Sequence, residues 1–292
     1  MLSSGMNDVR QPFASNDTDR GNHQLNRRTY MKGLGTAGAT VVTGLGTLTA
    51  AGGSAAAASP SRWSYKIQEG LPEETTVHVI DGQSVGPTVM VVGGMHGDEP
   101  AGYDSAARIA QWSIESGRLV VLPEACKPAI RNGTRGFDRS GKGNVQDLNR
   151  EFPAGQAPWS PLARGIWNVV TEENIDFLLD LHSSSGLYKW DEGDGVGQGI
   201  FATNAGEADQ YRRDLQSYLN ETFISNPEYN FTGATAGEDG TERMLKHKVG
   251  ADLDTPAIIF ETYRRLDDER QRTLTTSAVY EVCREKGMFD AS

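Results

Sequence analysis

The chain is 292 residues long and carries 39 acidic against 28 basic residues, a formal net charge of −11. That length holds one large domain or two small ones with a substantial core, and the acidic balance argues against electrostatic binding to nucleic acid. The two cysteines, Cys126 and Cys283, are far apart and outside any CxxC pattern, which excludes a cysteine zinc cluster and a disulfide-stapled scaffold and makes free buried thiols the expectation. The basic residues divide into 8 Lys and 20 Arg, and a lysine-poor, acid-rich composition suits high-salt surroundings.

Residues 1–26 are polar and rich in Asn, Asp, Gln and Ser, the composition of a disordered leader. Asn26-Arg27-Arg28-Thr29-Tyr30-Met31-Lys32 follows, then a soft apolar run of Gly, Ala, Thr, Val and Leu to about Ala58. Paired arginines, a weakly hydrophobic middle and small residues from Ala55 to Ala58 make a signal peptide of the twin-arginine type. The run holds too many Gly and Thr for a comfortable membrane span. Residues 1–58 are therefore expected to be leader and signal, read by the twin-arginine translocation machinery. Residues 59–292 are expected to form a single exported catalytic domain, extracellular or attached to the cell surface.

Beyond Ser59 the strand candidates are Thr76–Ile80, Thr88–Val92, Leu119–Leu122, Phe177–Leu181, Gly199–Ala202 and Ala257–Phe260. Several are continuous apolar runs, as expected of strands covered on both faces. Helical patterns lie between them at Pro100–Glu115, Pro161–Asn174, Gly206–Phe223, Thr241–Lys248 and Asp267–Lys286, with Pro100 and Pro161 suited to a first helical position. Strands alternating with helices predict an α/β fold, a three-layer αβα sandwich around a mixed, largely parallel sheet.

Chemistry-bearing residues gather at the ends of these strands. Val91-Val92-Gly93-Gly94-Met95-His96-Gly97-Asp98-Glu99 drives an apolar strand into a Gly-Gly turn and presents an imidazole and a carboxylate three residues apart. Both are ordinary zinc ligands. A second apolar strand ends in Asp180-Leu181-His182, and strand ends on one edge of an open sheet converge on one crevice. His96, Glu99 and His182 thus make a His2Glu set that leaves a position for water. Asp180, two residues before His182, shares its strand face and suits the acceptor of an imidazole N–H. Taken singly, His182 also suits an ordinary strand-end histidine and Asp180 a cap. His78 is expected to face solvent on an edge strand, and His247, between Lys246 and Lys248, to belong to a solvated helix face.

The loop-like stretches Arg131–Phe137 and Asp147–Pro153 bring Arg131, Arg135, Asn149 and Arg150. An adjacent Asn-Arg pair offers an amide donor and a planar fork for a carboxylate, and a further arginine can steady an oxyanion. The apolar strand Ala257–Phe260 ends in Glu261, placed for a general base and equally for a capping or salt-bridged glutamate. Trp190–Gly199 and Asn226–Asp239 are candidate pocket walls or lids.

In this order the motifs resemble the succinylglutamate desuccinylase/aspartoacylase family of the zinc carboxypeptidase superfamily. The similar segments are Gly-Gly-Met-His-Gly-Asp-Glu (93–99), Arg131 to Arg135, Asp-Leu-Asn-Arg-Glu-Phe (147–152), Asp-Leu-His (180–182) and Glu261. The resemblance implies one zinc ion held by His96, Glu99 and His182, with Glu261 as base and Arg135, or else Arg131, polarising the carbonyl. Asn149 and Arg150 become the clamp for a substrate carboxylate. The implied activity is a zinc-dependent amide hydrolysis of an N-acyl amino acid-like substrate. Only 31 residues follow Glu261, so the C-terminal β domain of aspartoacylase-like enzymes is not expected. That leaves open a carboxypeptidase of peptide or cell-wall stems, and, from another class, a non-catalytic binding protein on the same fold. A nucleotide-phosphate loop at Gly93-Gly94 ranks last, because GxGxxG and a Walker lysine are both missing.

Overall fold

The computed structural model describes residues 61–187, 195–235 and 243–289. The expected leader and signal over 1–58 lie outside these residues, as do 190–194 and 236–239 of the two expected pocket-wall stretches. The strands are β1 (Ser61–Ile67), β2 (Thr75–Asp81), β3 (Ser84–Gly93), β4 (Ser116–Leu122), β5 (Phe177–Ser184), β6 (Gly199–Ala202), β7 (Thr232–Thr235) and β8 (Ala257–Tyr263). The helices are α1 (Pro100–Ile109), α2 (Lys127–Asn132), α3 (Pro161–Glu172), α4 (Ala208–Phe223), α5 (Leu245–Leu253) and α6 (Asp268–Glu285). All eight strands join one sheet in the order β1-β2-β4-β3-β5-β8-β6-β7. Its centre, β4-β3-β5-β8, is parallel, while β1, β2 and β6 join antiparallel.

Alternating side chains of each central strand feed two cores. Val89, Val91, Leu179, Leu181 and Phe260 pack with α1, α4 and α6 on one face. Met90, Val92, Leu178 and Ala257 pack with α2, α3 and α5 on the other. Both faces of β5 are covered and all eight of its residues are buried, which is why its sequence shows no polar alternation. The expected three layers and mixed sheet are present.

Two strands have no counterpart among the expected ones, β1 and β7. Both are sheet edges with largely exposed residues, so burial imposes little pattern on either sequence. Helix α1 ends at Ile109, short of the expected Glu115. The Arg62 guanidinium of β1 takes the carbonyls of Ala110, Gln111 and Trp112 there, satisfying the groups a continuing helix would have used.

Two expectations about histidines are corrected. His78 lies on β2, which is flanked by β1 and β4 rather than at the edge, and it is half-buried. His247 is half-buried on α5 between Lys246 and Lys248, whose residues are only 3% and 2% exposed. The Lys248 ammonium reaches the carbonyls of Pro153 at 3.0 Å and Gln156 at 2.6 Å and the Asp252 carboxylate at 2.5 Å. Its partners repay the desolvation that the charge pattern alone could not reveal. Among the described residues no helix is long and apolar enough to cross a membrane.

Candidate metal centre and catalytic cavity

The connection from β3 leads through α1 to β4 on one side, whereas β5 pairs with β3 on the other. Such a reversal opens a crevice at the carboxyl ends of the strands. The loop that enters it turns at Gly94, whose φ of +72° is accessible to glycine at no steric cost. Gly97 lies so close to α2 that a Cβ would fall 2.0 Å from the Ala129 carbonyl carbon. Hydrogen bonds from Cys126 N to Gly94 O (2.8 Å) and from Gly97 N to Thr134 O (2.9 Å) hold the loop against its neighbours. His96 and Glu99 therefore project from a loop anchored on both sides, and Pro100 starts α1 immediately after.

His182 arrives from β5, and it meets both. Its Nδ1 lies 2.8 Å from Glu99 Oε2 and 3.2 Å from His96 Nδ1, and His96 Nδ1 lies 2.8 Å from Glu99 Oε1. All three residues are buried, and their donor atoms lie within 4.8 Å of one another. The outer ring nitrogens face carboxylates: His96 Nε2 is 2.9 Å from Asp147 Oδ1, and His182 Nε2 is 3.1 Å from Asp180 Oδ1.

The donor set fits a divalent cation. With the His96 Nε2–H given to Asp147, and the His182 ring in the same tautomer, both Nδ1 atoms carry lone pairs directed at each other and at an ionised carboxylate. Three acceptors at such distances repel unless positive charge lies among them. Burial disfavours charge on either imidazole, yet Glu99 and Asp147 raise the pKa of His96, and Asp180 and Glu99 raise that of His182 well above its usual value. Burial alone would likewise raise Glu99, but the two imidazoles hold it well below the usual carboxylate range. The cluster demands positive charge, and two imidazole nitrogens plus a carboxylate are the ligand types zinc takes at an open site.

Glu261 stands in register with His182 across the parallel pairing of β5 and β8, so the two side chains share one face of the sheet. Partial removal from water, opposed by His182, pushes its carboxyl up to about 7. A cavity of about 450 Å³ opens over this cluster, and Arg135, Arg150 and Arg264 line it with Glu261. A larger groove of about 910 Å³ beside α3 and α5 shares no residue with it.

The remaining expected residues separate. Arg135 reaches the cluster, with Nη1 3.3 Å from Glu99 Oε1 and Nε 3.1 Å from Asp147 Oδ2. Arg131, the alternative, lies on α2 outside the cavity lining and donates to the Pro72 carbonyl at 2.6 Å; its assignment to the substrate is corrected. Asn149 is buried, with Nδ2 donating to Asp180 Oδ2 at 3.1 Å and Oδ1 accepting from Leu245 N at 3.0 Å. Its Nδ2 also lies 3.1 Å from His182 Nε2, so the amide is engaged within the protein even though Asn149 and Arg150 both line the cavity. Of the pocket-wall stretches, Gly195 and Val196 line the cavity and the described residues 226–235 do not. Sequence reasoning missed Asp147 as the partner of His96, although the residue opens the Asp-Leu-Asn-Arg motif. It also missed Arg264, which no motif marked.

The fold is shared with known zinc carboxypeptidase-like structures, and the donor set could hold a metal ion. The family model described as the catalytic region of a carboxypeptidase controlling helical cell shape matches residues 60–195. Among solved structures, a variant of the cell shape determinant protein from Helicobacter pylori is 19% identical, covering 70% of this chain and 52% of that one, with a TM-score of 0.57. The same protein bound to mDAP, described as a D,L-carboxypeptidase, is 17% identical over 70% of this chain and 51% of that one, with a TM-score of 0.58. A succinylglutamate desuccinylase/aspartoacylase from Rhodobacter sphaeroides is 17% identical over 79% and 67%, with a TM-score of 0.54. The chain spans about half the length of the Helicobacter structures it matches. No curated protein sequence matches it. The similarities show that the chain has the zinc carboxypeptidase-like fold of these structures, the fold that the motif order implied.

Proposed function

We propose that the chain is an exported zinc-dependent hydrolase of carboxypeptidase type, cleaving the amide bond next to a free carboxylate in a short peptide. The observation that carries this reading is the convergence of His96, Glu99 and His182 with Glu261 on the adjoining strand, in one cavity bordered by Arg135 and Arg150. The match of residues 60–195 to a carboxypeptidase model supports the peptide substrate over the N-acyl amino acid. So does the accessible mouth of the cavity, where the Arg135 side chain is 48% exposed. Export rests on the twin-arginine pattern of residues 1–58.

A zinc ion held by the three ligands would supply Lewis acidity toward the scissile carbonyl and an acidified water. Glu261, with its raised pKa, suits the exchange of one proton: it accepts from the attacking water and returns the proton to the departing amine. Arg135 offers guanidinium N–H groups toward the carbonyl oxygen as charge develops on it. Arg150 offers a planar fork to the substrate carboxylate, and Asn149 fixes the base of that fork by accepting Arg150 Nη1 on its carbonyl at 2.8 Å.

A second reading, hydrolysis of an N-acyl amino acid, is favoured by the structural similarity to the desuccinylase/aspartoacylase and by the motif order. Mass spectrometry of reactions with short peptides, their C-terminal amides and a panel of N-acyl amino acids separates the two. Release of a C-terminal residue from the free peptides but not the amides is the expected result. Cleavage of N-acyl amino acids alone would transfer the assignment to the second reading.

A further inference from the structure

Arg264 follows β8 by one position and stands three residues after Glu261. Its guanidinium reaches back over the ligand cluster. Nη1 donates to Asp98 Oδ2 at 3.1 Å, and Nη2 donates to Glu99 Oε1 and to the Ser183 carbonyl, each at 3.1 Å. The Arg264 backbone N–H donates to the Ser184 carbonyl at 2.8 Å. Asp98 and Glu99 belong to the loop that carries His96, and Ser183 follows His182 directly. One residue thus joins the loop with two ligands, the strand with the third and the strand with the base.

We propose that Arg264 is the positioning residue that presents Glu99 to the metal. This inference rests on the metal-centre reading of His96, Glu99 and His182. Glu99 Oε1 receives Arg264 and Arg135, and Oε2 receives the Ser183 N–H at 3.1 Å. The carboxylate is therefore oriented from several directions before any ion enters. A ligand whose rotamer is locked by its neighbours loses less entropy on binding.

Charge alone argues the opposite way, because a guanidinium beside a ligand repels an incoming cation. Asp98, on the same guanidinium, offsets that repulsion locally, so the orienting effect prevails. Lysine would keep the charge, but its single ammonium cannot span Asp98, Glu99 and the Ser183 carbonyl as a planar fork does.

The test is zinc affinity in the full chain, measured by competition with a chromophoric chelator for the parent, Arg264→Met and Arg264→Lys. Both variants are expected to bind zinc about 10–100-fold more weakly, with circular dichroism of the metal-free proteins unchanged. The cobalt-substituted variants should show altered visible absorption, a signature of changed coordination that a merely structural contact would not move. Parent-like affinity and spectra in Arg264→Lys, the variant more certain to fold, would overturn the proposal while leaving the metal centre in place. A parent that binds no zinc would overturn the metal-centre reading itself and this inference with it.

Discussion

Asp147 Oδ1 lies 2.9 Å from His96 Nε2, across the imidazole from the Nδ1 atom that meets Glu99. The His96 ring is held between two carboxylates with different tasks. In the proposed metal centre Asp147 would fix the tautomer and raise the basicity of the inner nitrogen, and Glu99 would share the ion. Asp147 is itself well suited to stay ionised: burial resists its charge, but His96 and Arg135 hold its pKa far below the usual range. Asp147→Asn is expected to weaken zinc binding by about 10–100-fold. Chelator competition reads this directly, and parent-like affinity would remove Asp147 from the metal site.

Glu261→Gln should abolish most of the hydrolysis, by about 10²–10⁴-fold, with one zinc per chain still bound. Product formation and elemental analysis of the same preparation provide the two readouts. Retained turnover excludes Glu261 as the base.

The raised pKa of Glu261 also predicts how the metal-free protein responds to pH. Its folded pKa of about 7 exceeds the ordinary value of 4.5, so the folded state binds more protons than the unfolded state between those values. This group therefore contributes a destabilisation that grows as pH rises through that window and is complete above about 7. Glu261→Gln should melt higher than the parent at pH 8, with the gap closing toward pH 4, when both are followed by circular dichroism without metal. A pH-independent gap would show that Glu261 titrates at its ordinary value.

Cys126 and Cys283 are free and buried. Burial raises the Cys126 thiol and pushes Cys283 up to about 12, and a thiol rather than a thiolate is a poor nucleophile. Iodoacetamide at neutral pH is expected to leave the folded protein unmodified and to label both residues after denaturation. Intact mass reports the outcome, and rapid labelling of folded protein would contradict the packing around either cysteine.

At Gly97 a methyl group has no room, since it would meet backbone of α2 rather than a side chain that can turn away. Gly97→Ala is expected to cost about 1–3 kcal/mol of stability. The denaturant midpoint of the metal-free protein measures it. An unchanged midpoint would show that α2 shifts freely.

The six expected strands could be read from the sequence because burial on both faces writes long apolar runs, as in Val89–Val92 and Phe177–Leu181. The convergence of His96, Glu99 and His182 was legible for the related reason that each follows such a run. Elements without that constraint were not: β1 and β7 sit at edges, and the end of α1 depends on Arg62, distant in sequence. Helix α5 begins later than expected, at Leu245, where the Asn149 amide receives the first turn. No local pattern announces a capping group from so far away. The same holds for Lys248, Asp147 and Arg264, whose meaning lies in partners that only folding brings near.

Because His182 and Glu261 occupy paired positions on neighbouring strands, the gap between ligand and proton carrier is a property of the backbone ladder. Gly195 and Val196, at the rim of the cavity, belong to neither of these two strands. Substitutions at Gly195 or Val196 therefore alter the wall of the cavity and leave the spacing of His182 and Glu261 as the ladder sets it.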